Sequence, residues 1–311
     1  MDILLKQTFQ KIKSLKIQGA TDVAVAIIKT LADYSDNIKT KELPVLRKEL
    51  KAGAKFLLSA RPTEPMAQNG VKFIFSQLSK SRAVKDVISA KNCIKKASDD
   101  FLAAMLDAGD LAIDYGEKIV KNNDNILTHC HSYLVEQVLI KAKKNKKRFK
   151  VYNTETRPLF QGRMTSKILL KANIPTTMIG DSSAGFLISH HSGKNLMMDK
   201  IILGADAILS DGSVINKIGS FAIGVVAKEE KVPLYIVSAL LKFHNKSWIK
   251  IEKRSSKELW KNAPKDLKII NFAFDIIPAK YITGGIICEY GIIKPKNIKM
   301  AVKKNRPFLI D

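Results

Sequence analysis

The repeat of apolar residues along this chain changes once, and the change restricts its fold more than any other feature. Up to about residue 122, segments such as LKQTFQKIKSL, TDVAVAIIKTLADY, ELPVLRKELKAGAKFLLSA and GVKFIFSQLSK place apolar residues three and four apart, the spacing of an amphipathic helix. A longer stretch from about Lys80 to Asn122 does the same, and ARPTEPMAQNG, residues 60 to 70, interrupts the pattern as a loop or helix entry. From Asn125 onward, short apolar segments bounded by turns alternate with helical ones: DNILTHC, RFKVYNTE, TTMIGD, KIILGADAILS, PLYIVSA, LKIINFAFD and GGIICEYG. Strands that alternate with helices predict a parallel sheet of the doubly wound kind. The fold class is therefore α/β, an amino-terminal helical domain followed by a mostly parallel sheet. At 311 residues two domains are expected, with the boundary in the polar stretch GEKIVKNNDN: residues 1–120 helical, 121–311 carrying the sheet.

The formal charge of +24 is large enough to attract phosphate esters, RNA or an acidic protein partner. The run KAKKNKKRFKVY holds seven cations between Lys141 and Lys150 and reads as an exposed helix end and turn. Only Phe149 and Tyr152 lie nearby, so the interleaved aromatics of a base-stacking surface are missing. No apolar run reaches the roughly 18 residues of a membrane span, and lysines break the apolar residues of the first segment, so the chain is read as cytoplasmic without membrane contact. Cys93, Cys130 and Cys288 are widely separated, which suggests neither a disulfide framework nor a structural zinc site. Cys93 reads as core or partly exposed helix, Cys288 as a buried strand residue. His190 and His191, in LISHHSG, read as surface residues.

In doubly wound sheets ligands lie beyond the carboxyl ends of the strands. Those ends here supply His129 and Cys130, Glu155 to Arg157, Asp181 and Ser182, Asp206, and Lys242. Cys130 stands between His129 and His131 where a strand turns into a helix. The position suits a metal ligand, a nucleophile, a thiol that moves protons, or a small buried residue; a helix end beside the sulfur would favour its thiolate. The flanking histidines would face opposite ways on a continued strand, and no further Cys/His cluster accompanies them, so no metal is assigned. Asp206, after KIILG, could act as a general acid or simply cap a turn. DGSVINKIG offers glycines, Asn216 and Lys217 ahead of a helix, a combination suited to holding phosphate.

The ordered set ILTHCHS, TETRPLFQGR, DSSAG, GADAILSDGSVINKIG, LKFH and NFAFDIIPAKYI resembles the family that contains methylthioribose-1-phosphate isomerase, archaeal ribose-1,5-bisphosphate isomerase and the alpha, beta and delta subunits of initiation factor 2B. The resemblance spans nearly the whole chain and implies a Rossmann-like second domain. It implies an aldose-ketose isomerase, with ribose 1,5-bisphosphate as the phosphorylated pentose, in which Cys130 and Asp206 form the acid/base pair. Arg61 of ARPTEP, Ser132, Arg157, Asn216, Lys217 and Lys242 match positions that bind substrate. So do Gln18, Gly19, Ala20 and Thr21 of IQGAT, although relatives typically read IRGAG there. Gln18 in place of arginine exchanges a charge-assisted bond of about 1.5 to 3 kcal/mol for a neutral one near 1 kcal/mol, which weakens a phosphate grip tens-fold without abolishing it. The resemblance also implies no required metal or redox cofactor, a nucleotide such as AMP as activator, and a homo-oligomer, dimer or hexamer. Its alternative is a translation-factor-like regulatory subunit that binds an acidic partner, a sugar phosphate or a nucleotide without turnover.

Overall fold

A computed structural model describes residues 2–310, which divide into two compact units. The first comprises the residues up to Asp107 together with Leu241–Phe243; the second comprises Ala108–Leu240 and His244–Ile310.

The first unit is built on helices α1 (Ile3–Lys13), α2 (Ala20–Asn37), α3 (Leu43–Leu58), α4 (Pro65–Lys80) and the start of α5 (Val87–Ile119). Their apolar stripes meet in a core that includes Leu5, Ile27, Ile28, Leu31, Leu46, Leu50, Leu57 and Ile74, all of 1% exposure or less. Small residues set how closely these helices approach: a Cβ on Gly70 would lie 2.5 Å from Ile28 Cδ1, and one on Gly53 would lie 2.7 Å from the Tyr34 ring. Asn69, buried on α4, donates from Nδ2 to the carbonyls of Leu241 and Phe243, each at 2.8 Å, which fixes that short segment to the helices. The division between units falls inside α5, whereas the helix itself ends at Ile119, beside the polar turn.

In the second unit the order is β1 (Asn125–Thr128), α6 (Tyr133–Lys144), β2 (Lys150–Thr154), α7 (Gly162–Lys171), β3 (Thr176–Ile179), α8 (Ala184–Ile188), β4 (Lys200–Leu203), β5 (Ala207–Leu209), β6 (Val214–Lys217), α9 (Ser220–Glu229) and β7 (Leu234–Val237). After the two-residue β8 (Phe243–His244) come β9 (Phe274–Ile277), β10 (Gly285–Cys288), β11 (Gly291–Ile293) and α10 (Ile298–Asn305). The main sheet has seven strands in the order β11-β10-β7-β4-β1-β2-β3, parallel throughout except for the β10–β11 pair. Ile126, Val151, Ile202, Val237 and Ile287 of this sheet share one apolar cluster with Val135, Val138 and Leu139 of α6 and Ala112 of α5. The mostly parallel α/β architecture predicted from the alternating segments is the one observed.

Two local readings need correction. KIILGADAILS is not one strand: Gly204–Asp206 separates β4, in the parallel sheet, from β5, which pairs antiparallel with β6 in a second sheet that also contains β9. The β5–β6 turn runs through Asp211 and Gly212, with Gly212 at φ 85° and its amide donating to Leu209 O, the left-handed conformation that glycine adopts without penalty. LKIINFAFD is extended strand only from Phe274. Cys288 lies buried in β10, where burial pushes its thiol up to about 12. Part of the Lys141–Lys150 charge is tied down, Lys141 by Asp114 and Lys147 by Glu117 at 2.7 Å. His190 is exposed and pairs with Glu230 at 3.0 Å. Among the described residues no helix is long and apolar enough to cross a membrane.

Candidate active site

Cys130 lies in the turn between β1 and α6, at φ 72° and 8% exposed. A left-handed backbone is costly for a residue with a Cβ, and such conformations persist only where surrounding bonds hold them. Here three bonds hold it. The Cys130 amide donates to Thr156 Oγ1 at 2.9 Å, its carbonyl accepts from Thr165 Oγ1 at 3.0 Å, and its thiol lies 3.7 Å from Gln161 Oε1. Thr156 is itself at φ 61°, a strained choice for a β-branched residue. Its amide and that of Arg157 both donate to the Asp181 carboxylate at 2.7 Å. Asp181 thus sets the turn after β2, and that turn in turn sets Cys130.

The two histidines that flank the cysteine point to different partners, so they form no shared metal site with it. His129, 2% exposed, lies 2.9 Å from Ile218 O through Nε2 and 2.6 Å from Thr154 Oγ1 through Nδ1. A carbonyl only accepts, so Nε2 carries the proton and Nδ1 accepts from the Thr154 hydroxyl. Burial holds the ring well below its ordinary value, and it stays neutral. Thr154 and Thr156 hydroxyls lie 3.0 Å apart, so one chain of hydrogen bonds runs from Ile218 through His129 and both threonines to the Cys130 amide. His131 instead pairs through Nδ1 with buried Glu136 Oε1 at 2.7 Å, and the Thr165 hydroxyl, whose one proton is shared between this oxygen and Cys130 O, lies 2.6 Å from it. Among the described residues no group of three or more His, Cys, Asp or Glu side chains is arranged to hold a metal ion.

Asp206 follows β4, the parallel neighbour of β1. Its amide donates to Ile215 O at 2.8 Å, which fixes its backbone to β6. Between it and Cys130 the chains nearly touch: a Cβ on Gly204 would lie 2.5 Å from Ser132 Oγ, so only glycine fits there. Cys130, Ser132, Arg157 and Asp206 therefore all belong to the carboxyl ends of the adjacent strands β1, β2 and β4, and His129 links this edge to the end of β6. Exposed Arg157 has its guanidinium carbon 4.9 Å from the Phe160 ring centroid. Gln18, Gly19, Ala20, Thr21, Arg61 and Lys242 belong to the first unit. Gln18 and Gly19 precede α2, where Gly19 is at φ 86°, and Ala20 and Thr21 open the helix. Arg61 Nε lies 3.6 Å from buried Glu64 Oε2, and Lys242 is 8% exposed.

DGSVINKIG runs from the β5–β6 turn through β6 to the start of α9. Asn216 and Lys217 are on β6; Asn216 is buried and donates to Ser220 Oγ at 2.9 Å, and Lys217 Nζ lies 5.1 Å from the Phe274 ring centroid. The amides of Gly219 and Phe221 at the start of α9 already donate to Asp275 Oδ2, at 2.7 and 3.1 Å. A side-chain carboxylate thus fills the helix end that the sequence reading gave to a phosphate. Asp275 was not singled out from the sequence, and an acid within the apolar segment NFAFDII was the available signal.

Burial raises the Asp275 carboxyl to about 6, against the pull of its two amide donors. Its folded value lies above the ordinary 3.8, so between roughly pH 4 and 6 the folded chain holds a proton that the unfolded chain has released, and stability falls as pH rises through that window. At pH 7 the ionised group costs about 3 kcal/mol relative to an exposed carboxylate. Asp275→Asn removes the titration. Its melting temperature relative to the parent is therefore expected to rise steadily from pH 4 to pH 7 and then level off, as thermal unfolding across buffers would read; a difference independent of pH would contradict the assignment.

Residues 16–295 match the Initiation factor 2 subunit family. The chain belongs to that family. It is 34% identical over 310 residues to a protein of Methanocaldococcus jannaschii named ribose 1,5-bisphosphate isomerase, covering 98% of this chain and 96% of that one. A Pyrococcus furiosus protein of the same name is 33% identical over 306 residues, covering 94% and 92%. The fold superposes on a Pyrococcus horikoshii structure titled translation initiation factor eIF-2B with a TM-score of 0.81 at 24% identity, covering 95% of this chain and 98% of that one. That likeness bears on fold alone.

Proposed function

We propose that this chain is an aldose-ketose isomerase that converts ribose 1,5-bisphosphate to ribulose 1,5-bisphosphate. The observation that carries the reading is the near-full-length similarity to the two archaeal proteins of that name. The placement of Cys130 and Asp206 at the carboxyl ends of two adjacent parallel strands supports it.

In this mechanism Asp206, protonated, gives its proton to the ring oxygen as the sugar opens, leaving a cationic C1 that still bears its phosphate. The Cys130 thiolate removes the proton from C2, and the electron pair forms the C1–C2 double bond of an enol phosphate. The thiol then returns its proton to C1 while the Asp206 carboxylate takes the proton of the C2 hydroxyl, which becomes the ketone. Both groups end as they began, so no metal or redox cofactor is required. Lys217 and Arg157 are the cations of this unit assigned to phosphate and to charge that develops on the enol. A nucleotide activator such as AMP, a homo-oligomeric state and a cytoplasmic setting complete the proposal.

The regulatory reading has in its favour the +24 charge and Gln18 and Thr21 of IQGAT, where the resemblance leads one to expect arginine and glycine. Incubating purified chain with ribose 1,5-bisphosphate and AMP decides between the two. Ribulose 1,5-bisphosphate accumulating well above the no-protein rate is expected; folded protein that produces none would retire the isomerase in favour of the regulator.

A further inference from the structure

The amino-terminal edge of the seven-stranded sheet, opposite the end that carries Cys130 and Asp206, holds a cavity of about 610 Å³. It lies at the starts of β1 and β2, roughly 13 Å from the catalytic edge at the rise of a four-residue strand. Its walls carry the exposed cations Arg148, Lys150 and Lys194. Among the described residues none of the three makes an ion pair. Asp124 is the acid on its wall, and it is already neutralised: Lys200, itself 7% exposed, binds Asp124 Oδ2 at 2.5 Å, and the Lys121 amide donates to the same oxygen at 2.6 Å. Asp199, close by in the chain, is engaged by the Asn125 amide at 2.7 Å. Of the same run, Lys141 and Lys147 do find acids. Three cations around one concavity, with its acid compensated, leave a site of net positive charge.

The rest of the lining narrows the ligand. Phe149 and Pro175 give an apolar side, and the carboxamides of Asn123 and Asn195 make no hydrogen bond within the described residues. The volume falls within the roughly 300 to 1,000 Å³ of small-molecule sites and exceeds what an inorganic ion needs. Arginine and lysine together with amide donors suit phosphate oxygens, with an organic group left to fill the apolar side. We propose that this cavity is a second, non-catalytic anion site that takes a small phosphate monoester.

Residue-resolved acetylation of the full chain tests this without turnover, so its outcome is independent of the isomerase reading. Lysines are labelled with acetic anhydride in rising phenyl phosphate and quantified by mass spectrometry, with phenol and sodium chloride of matched ionic strength as controls. Phenyl phosphate is expected to slow labelling of Lys150 and Lys194 several-fold, leaving exposed Lys144 and Lys296 unchanged. In Arg148→Gln, whose side chain makes no internal bond, the midpoint of protection is expected to move about tenfold higher, the worth of one charge-assisted contact. Protection that spreads equally to Lys144 and Lys296, that sodium chloride reproduces, or that survives Arg148→Gln at an unchanged midpoint would overturn the proposal and leave an unspecific basic surface.

Discussion

Cys130→Ser is expected to turn over ribose 1,5-bisphosphate about a hundred to ten thousand times more slowly than the parent chain, the range for loss of a general acid or base. A thiol gives up its proton far more readily than a serine hydroxyl, so the substitution removes the base and changes little else in shape. The main-chain bonds that hold the turn, from the Cys130 amide to Thr156 and from Thr165 to the Cys130 carbonyl, do not involve the sulfur, and the melting temperature should stay close to that of the parent. Asp206→Asn keeps its backbone bond to Ile215 and is expected to fall by a similar factor, since an amide can neither give nor take the proton. Steady-state rates with unfolding curves for both variants provide the check. A serine variant with at least a tenth of parental activity would remove the thiol from the proposed mechanism.

Gly162→Ala is expected to have the largest effect on stability of any single methyl added near the site. Gly162 stands at the start of α7, directly after Gln161, and a Cβ there would lie 1.8 Å from Thr154 O and 3.0 Å from Glu155 C. Both neighbours are backbone, so no side chain can swing away. Relief requires the end of β2 to move, and with it the Gly162 amide bond to Glu155 O and the Asn153 bond to Gly162 O at 2.6 Å. A cost of roughly 3 kcal/mol or more follows, a large share of the typical 5 to 15 kcal/mol of a folded domain. Loss of soluble protein or a melting temperature lower by about 6 to 12 °C is expected. Gly180→Ala is the control: its Cβ would meet nothing nearer than Ser183 Oγ at 3.8 Å, and it should lie within about 0.5 kcal/mol of the parent.

The alternation of strands and helices was legible because the parallel strands are short, apolar and separated by helices with clear stripes. Cys130 and Asp206 stood out because they follow two of those strands. The antiparallel hairpin of β5 and β6 was not read, although Asp211-Gly212 between apolar residues is a hairpin signal. Neither the left-handed backbone of Thr156 nor the role of His129 could be read from residue types. A threonine at positive φ runs against its own preference, and a histidine tied to Thr154 and Ile218 depends on bonds to positions 25 and 89 residues away. Asp275 was hidden in the same way, because its partners at Gly219 and Phe221 lie more than fifty residues earlier.

The bonds from Asn69 to the carbonyls of Leu241 and Phe243 bear on any attempt to dissect the gene. A polypeptide ending at residue 120 would contain every helix around Asn69 but neither acceptor, leaving its carboxamide without the bonds it makes in the full chain. Chimeras that exchange the first 120 residues for those of a relative must therefore carry a matching 241–243 tripeptide, because the bundle is completed from a distant part of the chain rather than from its own contiguous stretch.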